Sequence, residues 1–156
     1  MDVQLPVPIR RAAYRGAHLT LRAYWFVRRP RLTGVKCVLT DGDQVLLVRH
    51  TYGPRAWDLP GGGLKRDEPP LTAARREAHE ELGVRVEDWV ALGEVAASMH
   101  HRRGTLHCFQ AELHEPGITM DRGELAAVSW FSRQNLPADL RLHVPRILAR
   151  TRSRRG

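Results

Sequence analysis

The spacing of apolar residues along the chain predicts a β-sheet built from short strands. Two β-rich runs are separated by Asp41-Gly42-Asp43, a sequence typical of a hairpin turn. Two longer alternating runs follow, with a turn at residues 101–104 between them, and a shorter apolar run lies further along the chain. The predicted strands are residues 33–40, 44–50, 89–101, 105–113 and 126–131.

Three other segments have apolar residues at helical spacing. The first runs from Arg10 to about Val27, mixes apolar with basic residues, and is expected to end at Pro30. The second begins at residues 67–70, with an acidic N-cap and proline in the first turn, and ends at Gly83. The third covers residues 144–151. In the second helix an apolar stripe must pack against the sheet; it consists of Leu71, Ala74, Ala78 and Leu82.

Charge is distributed unevenly along the 156 residues. The net charge is +8, but the first forty residues carry +7 and the last sixteen carry +6, so the middle of the chain is acidic at −5. Basic ends favour attraction of polyphosphates, RNA or an anionic membrane. For the basic N-terminal helix, three interpretations remain open: packing on the core, formation of a homodimer or other partner contact, and binding to an anionic membrane surface.

The two cysteines indicate a reducing compartment. Cys37 and Cys108 both lie in apolar runs and match neither a disulfide framework nor a metal-ligand pair. The chain also has no stretch of eighteen apolar residues and no apolar signal-peptide segment. A cytoplasmic location is therefore expected.

Three carboxylates in the second helix predict a cation site. Glu77, Glu80 and Glu81 stand at positions i, i+3 and i+4, so they share one flank of the helix and repel one another unless a cation lies among them. Ligands that offer only oxygen favour Mg²⁺, or Mn²⁺, over zinc. Mg²⁺ is usually shared with substrate phosphates, so a phosphorylated ligand is expected. Arg76 is placed to hold a carboxylate by charge-assisted hydrogen bonds.

The spacing around these carboxylates resembles the Nudix box. Gly62 is followed after five residues by Glu68 and after seven more by the run from Arg76 to Val84, REAHEELGV. The segments QVLLVR, WDLPGGG and VSWFSRQNLP are similar to the usual flanks of the box in that family. The resemblance covers about residues 33–137. We therefore divide the chain into an N-terminal extension with the basic helix (1–32), a Nudix domain (33–140) and a C-terminal helix with an arginine-rich tail (141–156).

The resemblance implies an α/β/α sandwich around a mixed β-sheet, here with an additional N-terminal helix. It implies hydrolysis of a pyrophosphate linkage in a nucleoside diphosphate joined to another moiety, X, with a divalent metal as cofactor. Three glutamates and the backbone carbonyl of Gly62 would bind the metal, while Glu68, Arg76 and Gly83 would have structural roles in the box. The general base would be Glu77 or, as second candidate, Glu124. The implied metal ligands are Glu77, Glu80 and Glu81.

Substrate identity is the least determined part of the prediction. Arg49, Arg55 and Trp57 precede the glycine turn and are candidates for contact with phosphate or a base. Nucleoside triphosphates and nucleotide sugars remain open as substrates. The alternatives are a Nudix-type module that senses a nucleotide without cleaving it, and a pyrophosphohydrolase acting on RNA 5′ ends, which the basic ends of the chain would assist.

Overall fold

A mixed β-sheet with helices on both faces organises the chain. The computed structural model describes residues 6–28, 32–99, 102–114 and 117–151. The elements, in chain order, are α1 (Val7–Arg28), β1 (Leu32–Asp41), β2 (Gln44–His50), α2 (Pro70–Leu82), β3 (Val90–Met99), β4 (Arg102–Glu112), β5 (Leu125–Ser132) and α3 (His143–Leu148).

The sheet has the strand order β3-β4-β1-β2-β5. The predicted hairpin is confirmed, since β1 and β2 are antiparallel and Thr40 pairs with Val45 across the Gly42 turn. The central strands β1 and β4 are parallel, and the remaining pairs are antiparallel. The sheet is therefore mixed, as predicted.

Alternation along the central strands places apolar side chains on both faces of the sheet, and each face carries its own core. One cluster joins Leu46 and Val48 of β2 to Ala74, Ala78 and Leu82 of α2. The other joins side chains from the opposite face to α3; it includes Val38, Val45, Leu47, Val144 and Ile147. Helices thus cover both faces, which is the predicted α/β/α sandwich.

The ends of α2 agree only in part with the sequence. Gly83 caps the C-terminus in the left-handed conformation (φ 67°), and its N–H donates to the carbonyl of His79, as expected for a helix-ending glycine. The predicted acidic N-cap is wrong, because Pro69 occupies the N-cap position without a side-chain hydrogen bond. The Glu68 carboxylate bonds instead to the N–H of Lys65 and to Arg76.

The turn predicted at residues 101–104 is also wrong where the structure describes it. Strand β4 already begins at Arg102, because Met99 pairs with Arg102 on one side and Gly104 pairs with Leu32 of β1 on the other. His100 and His101 lie outside the described residues, as does Pro30, the expected end of the first helix. The N-terminal helix itself is confirmed as α1. None of the helices in the described ranges is long and apolar enough to cross a membrane.

Candidate active site

The three box glutamates of α2 differ in depth. Glu81 is fully buried and Glu77 is 8% exposed, whereas the side chain of Glu80 is 52% exposed. Helical geometry explains the difference. Glu77 and Glu81 are roughly 40° apart around the helix axis and both face the sheet, whereas Glu80 is rotated away from Glu81 by roughly 100°. The site therefore has two carboxylates inside the protein and one at its surface.

Arg76 connects these carboxylates to the loop before the helix. Its guanidinium contacts Glu77 at 2.7 Å and Glu80 at 3.2 Å. It also contacts both oxygens of Glu68, at 2.8 and 3.0 Å, and the carbonyl of Gly63 at 3.0 Å. A planar guanidinium suits such a fork of acceptors, and the contact lowers the pKa of Glu68 to about 2. Arg76 thus fixes the loop and the helix relative to each other.

The glycine turn packs directly on the buried carboxylates. The N–H of Gly61 donates to Glu81 at 3.1 Å. A Cβ atom on Gly62 would lie 2.5 Å from Oε1 of Glu77, so any other residue at this position would displace that carboxylate. The carbonyl of Gly62 accepts the N–H of Val35 at 2.9 Å, which anchors the turn to β1 and still leaves this oxygen a second lone pair.

A second group of side chains meets Glu81 from β2 and from the loop before β5. Nε2 of His50 lies 3.2 Å from Oε1 of Glu81, and the hydroxyl of Tyr52 donates to Oε1 of Glu124 at 3.0 Å. Ligand atoms of His50, Glu81 and Glu124 lie within 4.8 Å of one another, close enough to share one metal ion. Two of these three groups are carboxylates, which suits a hard divalent cation, and neither Glu77 nor Glu80 belongs to the group of three.

The pKa values of Glu77 and Glu124 also favour a cation site. Burial raises the pKa of Glu77 to about 7, with a further contribution from Glu81, even though Arg76 opposes the shift. Burial and the Glu81 carboxylate likewise raise the pKa of Glu124, against the hydrogen bond from Tyr52. Shifts in this direction mean that the charged forms of both carboxylates are disfavoured in the protein without a cation, and a bound cation would favour them.

A cleft of about 710 Å³ opens beside this site. The size is within the range of small-molecule pockets. His50, Tyr52 and Gly62, which touch the buried carboxylates, line one part of it. The rest of its wall combines basic with apolar residues; among them are Lys36, Lys65, Arg141, Val35, Ala97 and Leu106. A ligand with both phosphate and apolar parts would suit such a lining.

A buried ionic cluster lies in the same wall. Oδ2 of Asp58 accepts a hydrogen bond from Lys36 at 2.8 Å. Oδ1 accepts the N–H of Leu59 at 2.7 Å and lies 2.7 Å from Nε2 of His143. Burial alone would raise the pKa of Asp58, but Lys36 and His143 outweigh it and hold that pKa well below its usual range. The cluster ties β1, the glycine turn and α3 together at one end of the cleft.

The three predicted substrate-binding residues lie elsewhere. The guanidinium of Arg49 stacks 4.5 Å over the ring of Trp57 and forms an ion pair with Asp139. Trp57 also packs edge-on against Phe131 within the core cluster that includes α3. Arg55 is exposed. None of the three lines the cleft, so their role in substrate binding stays a prediction.

Several site residues were not identified from the sequence. His50 stands 31 residues before Glu81, and Tyr52 stands 72 residues before Glu124. Asp58 and His143 are 85 residues apart. The spacing of apolar residues along the chain does not predict contacts between residues so far apart in sequence. A usable signal for Lys36 was its place inside an otherwise apolar strand, since a buried lysine requires a partner.

Comparison with known proteins identifies the class. A family model described as the NUDIX domain matches residues 30–151. An RNA pyrophosphohydrolase from Rhodospirillum rubrum is 41% identical over 68 residues, which are 43% of this chain and 40% of that protein. An ADP-ribose pyrophosphatase from Mycobacterium tuberculosis is 49% identical over 49 residues, which are 31% of this chain and 24% of that protein. The chain thus spans well under half the length of these relatives.

A solved structure shares the fold over nearly its whole length. The MutT NUDIX hydrolase from Burkholderia pseudomallei superposes with a TM-score of 0.73 at 23% identity, covering 79% of this chain and 99% of that one. With the family model matching most of the chain, the protein belongs to the Nudix family.

Proposed function

We propose that the protein is a divalent-metal-dependent hydrolase that cleaves a pyrophosphate linkage in a nucleoside diphosphate joined to another moiety. The observation that carries this proposal is the pair of buried box glutamates, Glu77 and Glu81, beside Glu124 and under a glycine turn at the edge of a cleft. Burying two carboxylates without equal positive charge is costly for a protein that binds no cation.

Glu77, Glu80 and Glu81 would hold the metal, with Glu124 and His50 within reach of Glu81. Mg²⁺ is expected and Mn²⁺ is the alternative, because the donors are mainly oxygens. When bound, the cation would withdraw charge from the phosphate oxygens and make water a better nucleophile. The Gly62 carbonyl remains a further candidate ligand.

The remaining chemistry falls to the side chains of the site. A carboxylate with an elevated pKa can accept a proton from the attacking water near neutral pH. Glu77 and Glu124 both meet that condition. The Arg76 guanidinium already occupies one oxygen of Glu77, whereas Glu124 is contacted by a neutral phenol, so we favour Glu124 as the base. Arg76 would hold the metal-binding carboxylates in place.

Substrate preference is proposed at the level of class. The cleft is lined by Lys36, Lys65 and Arg141 and by apolar side chains, which suits the phosphates and the non-reacting part of a nucleotide. Nucleoside triphosphates and nucleotide sugars fit this description. The relatives add ADP-ribose and RNA, since their names refer to those substrates.

A panel assay tests the proposal. Phosphate or pyrophosphate release would be measured from GTP, UDP-glucose, ADP-ribose and a 5′-triphosphorylated RNA, with Mg²⁺, with Mn²⁺ and with a chelator. We expect turnover of at least one compound, dependent on the metal. Tight binding of one compound without turnover of any would instead identify a nucleotide-sensing module.

Two variants test the metal assignment. Glu80→Gln and Glu81→Gln keep the shape of each side chain and remove its charge. Each should lower turnover by about a hundredfold or more, because a metal that stabilises the transition state contributes several kcal/mol. Circular dichroism should show an unchanged fold. Near-normal turnover in both variants would remove the metal assignment.

A further inference from the structure

We propose that α1 positions a catalytic group of the active site: it holds the loop at residues 121–124 and the side chain of Tyr52 so that the Glu124 carboxylate stays beside Glu81 and His50. This inference rests on the proposed function for the role of Glu124, although the contacts themselves do not. The helix lies entirely before the residues matched by the family model, which begin at residue 30.

The first set of contacts joins α1 to the loop that carries Glu124. Arg10 forms an ion pair with Asp121 at 3.4 Å, and both side chains are only about a quarter exposed. Nε of Arg11 donates to the carbonyl of Arg122 at 3.1 Å. The loop also packs closely against the helix, because a Cβ atom on Gly123 would lie 3.3 Å from the Arg10 side chain. Arg10 and Arg11 thus form one ion pair and one hydrogen bond with the loop, and Gly123 packs beside Arg10.

Asp121 connects this contact with α1 to the backbone of Glu124. Its carboxylate accepts the N–H of Gly123 at 2.8 Å, and its carbonyl accepts the N–H groups of Glu124 at 3.2 Å and Leu125 at 2.8 Å. Its own N–H donates to the carbonyl of Glu81 at 2.9 Å. Asp121 therefore connects α1, the last turn of α2 and the Glu124 backbone.

The second set of contacts reaches Glu124 through Tyr52. The ring of Tyr52 stacks on Tyr14 of α1, with 6.3 Å between centroids and 20° between planes, and lies 5.2 Å from the ring of His18. On its other side it lies 5.3 Å from His50. Its hydroxyl donates to Glu124. Because α1 and His50 contact the Tyr52 ring from two sides, they restrict its position and so direct the hydroxyl toward the Glu124 carboxylate.

The opposite face of α1 bears other residues. Arg15, Leu19 and Ile9 are exposed, and nothing in the structure identifies what would cover them. Among the described side chains of α1, four contact Tyr52 or the loop at residues 121–123: Arg10, Arg11, Tyr14 and His18. Whatever the outer face binds, the inner face has a role within this chain.

Amide hydrogen exchange, followed by NMR on the full chain without added metal, tests the contacts independently of activity. In the double variant Arg10→Ala/Arg11→Ala, the N–H groups of Gly123, Glu124 and Leu125 should exchange about 3- to 10-fold faster, the effect of losing one partly exposed ion pair and one hydrogen bond. Amides of the central strand β1 should be unchanged. Arg15→Ala is the control variant: it removes one arginine from an exposed position of the same helix, and it should leave the loop unaffected.

Equal exchange of the loop amides in the double variant and the wild type would overturn the proposal. Faster exchange in β1 as well would also contradict it, because the arginines would then stabilise the whole fold instead of the loop.

Tyr52→Phe tests the second set of contacts. The variant keeps the stacked ring and loses the hydroxyl, so kcat should fall about tenfold, the loss of one hydrogen bond to a charged group, while KM stays within about twofold. Rates are measured on whichever of GTP, UDP-glucose, ADP-ribose or triphosphorylated RNA the wild type hydrolyses. Unchanged kcat would refute a positioning role for Tyr52. If the wild type hydrolyses none of them, the proposed function fails, and the exchange experiment still decides whether α1 holds the loop.

Discussion

Three successive glycines, Gly61, Gly62 and Gly63, should respond to the same substitution in three different ways. A Cβ atom on Gly61 would lie 2.1 Å from the carbonyl oxygen of Val35, at a φ of 140°. The nearest atoms to one on Gly62 would be those of the Glu77 carboxylate, at 2.5 Å. One on Gly63 would meet nothing within 4 Å. The same added methyl group would therefore meet backbone at Gly61, the Glu77 side chain at Gly62 and open space at Gly63.

The expected magnitudes follow from these distances. Gly61→Ala combines backbone strain with a clash against a fixed carbonyl, about 2–5 kcal/mol, and should lower Tm by about 5–20 °C. Gly62→Ala displaces the end of a side chain at a cost of about 1–2 kcal/mol, but it moves Glu77 by roughly 1 Å, which should reduce turnover about 10- to 100-fold. Gly63→Ala should change stability by no more than about 0.5 kcal/mol.

Two measurements on each variant are sufficient. Thermal unfolding by circular dichroism without metal reports stability, and initial rates with Mg²⁺ report the site. Gly63→Ala serves as the matched control, because it adds the same methyl group one residue away. Wild-type turnover in Gly62→Ala would refute the reasoning. So would an equal loss of turnover in Gly63→Ala, because the effect could not then come from the Glu77 contact.

Other variants test features outside the glutamates. Asp58→Asn should lower the free energy of unfolding by about 3–5 kcal/mol at pH 7 in urea titrations, because it leaves a buried lysine unpaired. The pKa of Asp58 is depressed by folding, so this difference should be complete above about pH 5 and shrink as pH falls below about 4. Arg49→Ala should lower the free energy of unfolding by about 0.5–2 kcal/mol, because it removes the contacts with the Trp57 ring and with Asp139. If these contacts are its whole role, KM should be unchanged; a raised KM would instead support Arg49 as a substrate ligand. Burial raises the pKa of both Cys37 and Cys108, so neither thiol should react with a disulfide reagent until the protein unfolds; rapid reaction of the native protein would contradict their burial.

The sequence was informative wherever neighbouring residues determine the structure. Asp41-Gly42-Asp43 predicts the hairpin because turn chemistry is local, and Gly83 ends α2 because only a left-handed residue closes that helix end. The helix period also placed the three box glutamates on one flank. It could not show that Glu80 is exposed while Glu81 is buried, because that depends on where the sheet lies against the helix.

The sequence was uninformative wherever a contact joins distant segments. His50 and Glu81 meet because β2 runs beside α2 in space, and Asp58 reaches His143 because α3 returns to the glycine turn. Trp57 is a third case, since its place beside the motif makes it a candidate for a ligand contact and does not reveal that its ring packs edge-on against Phe131 in the core. Tertiary packing, which a local pattern does not encode, decides all three cases.

The parallel pairing of β1 with β4 has a consequence for how the protein is made. Leu32 and Gly104 pair at the centre of the sheet although they are about 70 residues apart, and the whole Nudix box lies between them in the chain. Closing so large a loop is slow, so the central pair should form late in folding. On the ribosome the helix with the glutamates therefore emerges before the strand that completes its cleft, and a chain stopped before residue 112 would carry the motif without the pocket beside it.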